Sequence, residues 1–127
     1  MKRVLVVEDN KLFVQVISKK LKIAGFEAVT CETLAETNAI LEKEDDFFAA
    51  ILDLALPDAP HGEVVDIILE RNIPAIILTA LFNDDIRDEM LHKSIVDYVV
   101  KNRQEDVDYA ISLVQRLEKN AGGKVLI

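Results

Sequence analysis

Asp53 is the residue around which the chemistry of this sequence is organised. Residues 47–52 form six consecutive apolar residues that end directly at Asp53, and Pro57 follows four residues later. A short, unbroken apolar run predicts a strand buried on both faces, and the proline predicts a turn after it. A carboxylate at the carboxyl end of a central parallel strand lies where open α/β sheets form their binding crevices. The alternative is a solvated aspartate that merely ends a strand.

Polar residues also follow the other apolar runs that predict strands. Glu8 and Asp9 end the first strand, Thr79 ends the fourth and Lys101 follows the fifth. Because the carboxyl ends of parallel strands share one edge of a doubly wound sheet, we expect these side chains to converge on Asp53. Each residue alone has an ordinary explanation as a cap, a turn residue or a solvated lysine. The set as a whole indicates a site.

The residue types in this set suit phosphoryl transfer. Three carboxylates packed together repel one another unless a divalent cation neutralises them, and all-oxygen ligands suit Mg²⁺. One carboxylate can then act as a nucleophile toward a phosphoryl group and form an acyl phosphate. Charge on the phosphoryl oxygens must also be neutralised, and Lys101 offers a positive charge while Thr79 offers a hydroxyl donor.

The hydrophobic pattern predicts five β–α units that position these residues. Apolar runs alternate with helical stripes, and the connections between them are short. This pattern predicts a flavodoxin-like (βα)5 doubly wound sandwich, with a parallel five-stranded sheet in the order 2-1-3-4-5. The predicted strands cover residues 2–7, 26–30, 47–52, 75–78 and 95–100.

Capping residues mark the predicted helix starts. Asn10 is a predicted N-cap of the first helix and Thr33 of the second, with Glu36 at capping-box spacing. Either Asn83 or Asp84 is predicted to cap the fourth helix.

Composition limits the classes of function. The 127 residues suffice for one domain, and the net charge of −8 argues against direct nucleic-acid binding. No apolar stretch approaches the roughly 20 residues that cross a bilayer, and the N-terminus does not resemble a signal peptide. The single cysteine, Cys31, fits a reducing compartment. We therefore expect a cytoplasmic protein without a membrane partner.

An ordered set of motifs at the strand ends resembles the receiver domain of bacterial two-component response regulators, the CheY-like superfamily. The resemblance covers residues 2–120. Its motifs are Glu8-Asp9, Asp53 with Pro57, Thr79-Ala80, and Tyr98 three residues before Lys101.

The resemblance implies a role for each matching residue. Asp53 would accept a phosphoryl group from a sensor histidine kinase or a phosphotransfer protein. Asp9 would ligate Mg²⁺ directly and Glu8 through water, and Asp53 and the backbone carbonyl of Ala55 would complete the protein ligands.

The resemblance also implies how the phosphoryl group is read. Lys101 would pair with it, Thr79 would move toward it, and Tyr98 would swing inward as Thr79 moves. The face formed by the fourth helix, the fifth strand and the fifth helix would then control an attached or partner effector. The domain would assist its own phosphorylation and dephosphorylation without being an enzyme in the wider sense.

Three positions depart from the family pattern. Asn102 follows Lys101 where the family usually has a proline in cis linkage, and a cis bond before a residue other than proline costs about 2.5–4 kcal/mol. The loop over residues 58–62 is one residue longer than the common pattern. Ala55 is small, which predicts that the aspartyl phosphate is open to water.

Other functions remain as alternatives. A haloacid-dehalogenase-like phosphatase would have a second aspartate where Ala55 stands. A receiver-shaped module could have lost phosphate chemistry, although the key residues are intact. In a flavodoxin-like electron carrier, the acidic residues at Glu8 and Asp9 would repel a flavin phosphate. The acidic fourth helix is either a homodimer or partner face or a solvated helix.

The chain's last residues carry a separate signal. Residues 121–123 are linker-like, and residues 124–127 repeat the apolar pattern of residues 3–6. We predict a receiver domain over residues 1–120, with 121–127 forming a linker and the start of a following domain, such as a second receiver. The alternative is a frayed apolar tail.

Overall fold

A five-stranded parallel sheet forms the centre of the computed structural model, which describes residues 1–122. The strands lie in the order β2-β1-β3-β4-β5, so the predicted fold and strand order are confirmed. In chain order the elements are β1 (Lys2–Val7), α1 (Lys11–Ile23), β2 (Phe26–Cys31), α2 (Leu34–Lys43), β3 (Ala49–Leu52), α3 (Glu63–Glu70), β4 (Ala75–Thr79), α4 (Asp84–Leu91), β5 (Asp97–Val100) and α5 (Gln104–Gly122).

The helices cover both faces of the sheet. Alternate residues of β1 show this division, because Leu5 and Val7 pack toward α2, α3 and α4, whereas Val4 and Val6 pack toward α1 and α5. All four residues of β3 are buried. The unbroken apolar run before Asp53 is therefore explained by a strand that contacts helices on both sides.

The predicted caps hold the helix starts. The Asn10 side chain accepts the N–H groups of Leu12 and Phe13 at 3.0 and 3.1 Å, and Asn83 caps α4. Thr33 caps α2, but the carboxylate of Glu36 accepts the N–H of Glu32 at 2.7 Å, one residue before the position that a capping box uses.

Helix α5 continues to Gly122, so the first two residues of the predicted linker are helical. Residues 123–127 lie outside the described part of the chain, and the prediction of a following domain lies with them. No helix within residues 1–122 has the length and apolarity that a membrane crossing needs. The peptide bonds over the same residues are trans, including the bond between Lys101 and Asn102.

Candidate functional site

The sheet's hydrogen bonds fix the polar residues at its carboxyl edge. The Asp53 N–H donates to the Val7 carbonyl at 2.9 Å, and the Lys101 N–H donates to the Thr79 carbonyl at 2.8 Å. The Glu8 N–H extends the pairing of β1 with β2 by the same kind of bond. Because β1, β3 and β5 each pair one residue beyond their ends, and Thr79 is itself the last residue of β4, the backbone under the functional side chains is held by the sheet.

The converging side chains are buried at this edge. The exposed fraction is 2% for Glu8, 6% for both Asp53 and Lys101, and 0% for Thr79, whereas Asp9 is exposed. Together with Ala55 and others they line a cleft of about 500 Å³. Charged groups are seldom this buried unless they are paired, so the arrangement requires an electrostatic explanation.

Lys101 supplies the pairing. Its ammonium group donates to the Glu8 carboxylate and, at 3.3 Å, to Asp53 Oδ2. The same ammonium group lies 4.4 Å from the centroid of the Phe13 ring, within the range of a cation–π interaction. Lys101 is thereby held between two carboxylates and an aromatic face.

Burial raises the pKa of Glu8 to about 7, because the charged form loses its hydration. The hydrogen bond from Lys101 and the N–H of Asn10 act in the opposite direction without cancelling this effect. Glu8 is therefore a carboxyl group whose charge changes near neutral pH.

The second oxygen of Asp53 belongs to a separate chain of hydrogen bonds. Thr79 Oγ1 donates to Asp53 Oδ1 at 2.9 Å, and the N–H of Ala55 donates to the same oxygen at 3.2 Å. The Leu81 N–H donates to Thr79 Oγ1 at 3.3 Å, and the Tyr98 hydroxyl donates to the Leu81 carbonyl at 2.7 Å. Tyr98 is buried, and this burial raises its pKa. A continuous path thus joins Asp53 to β5.

The acidic groups fit a divalent cation. Carboxylate oxygens of Glu8, Asp9 and Asp53 lie within 4.8 Å of one another. Within residues 1–122, the ion pairs of Glu8 and Asp53 are formed by Lys101, whose single positive charge leaves an excess of negative charge in this all-oxygen donor set. Such a set suits a hard cation of the Mg²⁺ type.

Comparison with known proteins identifies the family. A family model described as the response regulator receiver domain matches residues 4–112. The chain is a response regulator receiver domain. The cell cycle transcriptional regulator CtrA of Caulobacter vibrioides is 31% identical over 106 residues, which are 82% of this chain and 46% of CtrA.

Solved structures agree with this assignment. The Francisella response regulator 1452 receiver domain is 25% identical, with a TM-score of 0.80, and the match covers 95% of this chain and 99% of that one. A protein assigned as a two-component response regulator with a GGDEF domain is 35% identical, with a TM-score of 0.77. That match covers 94% of this chain but 49% of the longer protein.

The receiver fold brings together the residues that sequence reasoning selected. Glu8, Asp9, Asp53, Ala55, Thr79 and Lys101 all line the cleft. Tyr98 lies outside this lining and is connected to it through Leu81. The histidine of the loop between β3 and α3, His61, is exposed beside Glu63 and does not line the cleft.

Three residues that contact the site or lie in the adjoining loop were not selected from the sequence. Phe13 resembles any other apolar residue of the α1 stripe, and Leu81 acts through its backbone. Asp58 lies in a loop rich in turn-forming residues, and its side chain bonds to the start of α2. In the sequence, Asp58 is an acidic residue five positions after Asp53, and this spacing alone does not indicate a function.

Proposed function

We propose that this receiver domain is phosphorylated on Asp53 by a sensor histidine kinase or a phosphotransfer protein. The observation that carries the proposal is that the two carboxylate oxygens of Asp53 have different hydrogen-bond partners. Oδ2 faces the ammonium group of Lys101, and Oδ1 faces the hydroxyl of Thr79. A positive charge and a hydroxyl donor therefore already flank the carboxylate where phosphoryl oxygens would lie.

In this step an Asp53 carboxylate oxygen attacks the phosphorus atom. A new O–P bond forms while the bond from phosphorus to the imidazole nitrogen of the phosphohistidine donor breaks, and that nitrogen keeps the electron pair. Lys101 is placed to offset the negative charge on the transferred oxygens. Its position does not depend on the substrate, because Glu8 and Phe13 already hold the ammonium group.

Mg²⁺ is the proposed cofactor. Asp9, Asp53 and the carbonyl of Ala55 would hold it, with Glu8 acting through water, and the bound cation would neutralise charge on the phosphoryl oxygens. The exposure of Asp9, beside the buried Glu8 and Asp53, leaves a side of the cleft open to water and to a donor protein.

The phosphorylated state would be read through Thr79 and Tyr98. In the structure Thr79 already bonds to Asp53, and Tyr98 already lies inside the core. We propose that a phosphoryl oxygen replaces Asp53 Oδ1 as the acceptor of the Thr79 hydroxyl, so that the hydrogen-bonded path through Leu81 to Tyr98 becomes stronger. The face formed by α4, β5 and α5 would then control an effector, and it is also the proposed site of any homodimer.

The proposal for the kind of effector that this domain controls is based on its relatives. CtrA is a transcriptional regulator, and the structural relative with 35% identity carries a GGDEF domain. We propose that this receiver acts in the cytoplasm and likewise controls an attached or partner effector, without catalytic turnover of a separate substrate. The small, exposed Ala55 leaves one side of Asp53 open to water, so we expect a phosphoryl group of short lifetime.

Intact mass after incubation with Mg²⁺ and acetyl phosphate tests this function. The protein should gain one phosphoryl group, and Asp53→Asn should gain none. Asp45→Asn is the matched control, because it makes the same chemical change at an exposed aspartate. An equal adduct on Asp53→Asn, or none on the unaltered chain with Mg²⁺ bound, would remove the proposal and favour a receiver-shaped module without phosphate chemistry.

A further inference from the structure

Asp58 connects the loop after β3 to the start of a different helix. Its Oδ1 accepts the N–H of Leu34 at 2.8 Å, and its Oδ2 accepts the N–H of Ala35 at 3.0 Å. These two donors belong to the first turn of α2, and they lie 24 and 23 residues earlier in the chain, respectively. The two bonds lower the pKa of Asp58, so its carboxylate is charged at neutral pH.

The loop that carries Asp58 is tightly constrained elsewhere. Leu56 and Ala59 exchange two backbone hydrogen bonds of 3.2 Å, and the Gly62 N–H donates to the Leu54 carbonyl at 3.0 Å. The side chains of Leu54, Leu56 and Ala59 are buried. Asp58 therefore lies at the tip of a short closed turn, and a constraint on this tip acts on the whole segment that begins at Asp53.

Helix α2 has its own cap without Asp58. The Thr33 side chain accepts the N–H of Glu36 at 3.0 Å, and the Glu36 carboxylate accepts the N–H of Glu32. Asp58 takes the two remaining donors of the first turn from outside the helix. The N–H groups at the start of α2 are therefore shared between local acceptors and the distant acceptor Asp58. Removal of the Glu36 carboxylate tests the stability of α2, whereas removal of the Asp58 carboxylate also tests the position of the loop.

We infer that Asp58 is a positioning residue that holds the Ala55 carbonyl in place for the metal. Ala55 lies three residues before Asp58, and its own N–H bonds to Asp53. The two hydrogen bonds that Asp58 accepts from α2 hold the far side of the turn, so that the Ala55 carbonyl and the Asp53 carboxylate keep one relative arrangement. This inference rests on the proposed function, which assigns Ala55 as a ligand.

Two variants that remove the same charge near the same helix test the inference. Asp58→Ala should weaken Mg²⁺ binding about tenfold, as loss of a supporting group typically does, whereas Glu36→Ala should leave the Mg²⁺ affinity within about twofold. Asp58→Asn keeps one carbonyl acceptor and should recover part of the loss. At saturating Mg²⁺, Asp58→Ala should form the phosphate adduct at nearly the rate of the unaltered chain.

Hydrogen exchange gives a readout that needs no metal. In Asp58→Ala the backbone amides of Leu56, Ala59 and Gly62 should exchange at least about fivefold faster, and in Glu36→Ala they should not change. Equal Mg²⁺ affinity and equal loop exchange in the two variants would overturn the role of Asp58, while the Asp53 adduct would still form. Absence of the adduct from the unaltered chain would instead overturn the proposed function, and absence of Mg²⁺ binding to the unaltered chain would overturn this inference with it.

Discussion

Thr37 and Thr79 are both completely buried, yet they belong to two very different regions of the molecule. The Thr37 hydroxyl donates to the Thr33 carbonyl at 2.8 Å, within its own helix, and contacts the sulfur of Cys31. The Thr79 hydroxyl donates across the sheet to Asp53 and accepts from Leu81. The partners of Thr37 lie within six residues of it in the chain, whereas the bond from Thr79 to Asp53 joins strand ends 26 residues apart.

The difference extends to the surroundings of the two threonines. Within the described residues, five polar or charged side chains are buried, and all of them except Thr37 meet at the carboxyl edge. Those four are Glu8, Asp53, Thr79 and Lys101. Burial of one hydroxyl against a helix carbonyl is ordinary for a core, but burial of three charges with a hydroxyl is costly without a functional reason.

The largest expected effect follows from removing the cation of the carboxyl edge. Lys101→Met leaves the buried Glu8 and Asp53 without their partner, so the metal-free protein should lose about 3 kcal/mol of unfolding free energy near pH 8. Added Mg²⁺ should restore part of this loss. Urea unfolding in EDTA and in Mg²⁺ measures both effects.

Lys20→Met is the matched control for this change. Lys20 forms a 2.7 Å ion pair with the more exposed Asp108, so its loss should cost no more than about 1 kcal/mol. If Lys101→Met were as stable as Lys20→Met, the carboxylates at the edge would not depend on the lysine, and the contrast between the two regions would fail.

The two threonines themselves give the next effect. Thr79→Val leaves Asp53 Oδ1 and the Leu81 N–H each without one partner, so we expect a loss of about 2 kcal/mol and a slower formation of the phosphate adduct. Thr37→Val should cost less than about 1 kcal/mol, because the Thr33 carbonyl keeps the Thr37 N–H at 3.1 Å. Thr37→Val should leave the rate of adduct formation unchanged. Equal effects of the two changes on that rate would contradict the assignment of Thr79.

The smallest expected effect is a pH dependence of metal binding. The pKa of Glu8 is raised from 4.5 to about 7, so Mg²⁺ must displace a proton from this group below neutral pH. The affinity for Mg²⁺ should fall about tenfold between pH 8 and pH 6, measured by calorimetry. Without metal the sign is opposite, because the raised pKa makes the fold more stable at pH 6 than at pH 8.

Glu8→Gln checks the source of this dependence. The variant should bind Mg²⁺ more weakly at pH 8, and its affinity should change little down to pH 6. A pH dependence that survives in Glu8→Gln would assign the titration to another group of the site.

The carboxyl edge was predictable from the sequence because each of its side chains follows an apolar run. Asp53 after residues 47–52 is the clearest case, since the pattern fixes both the strand and the end of the strand. The starts of strands were less predictable. Phe47 and Phe48 belong to the apolar run but precede β3, although the Phe48 N–H already donates to the Arg3 carbonyl at 2.8 Å.

The long-range contacts could not be predicted in the same way. The bonds from Asp58 to α2 join positions more than 20 residues apart, and no local pattern encodes them. The path from Thr79 to Tyr98 passes through backbone atoms of Leu81, which any residue type would supply. Phe13 fills a place in a helical stripe, so its contact with Lys101 emerges only in three dimensions.

Chemical mapping of the phosphorylated residue tests the central claim most directly. The protein is incubated with Mg²⁺ and acetyl phosphate and then treated with borohydride, which reduces an acyl phosphate to an alcohol. Peptide mass analysis should find homoserine in place of Asp53, with Glu8 and Asp9 unchanged. Reduction at Glu8 or Asp9, or no reduced residue in a protein that binds Mg²⁺, would contradict the account of Asp53 as the phosphoacceptor.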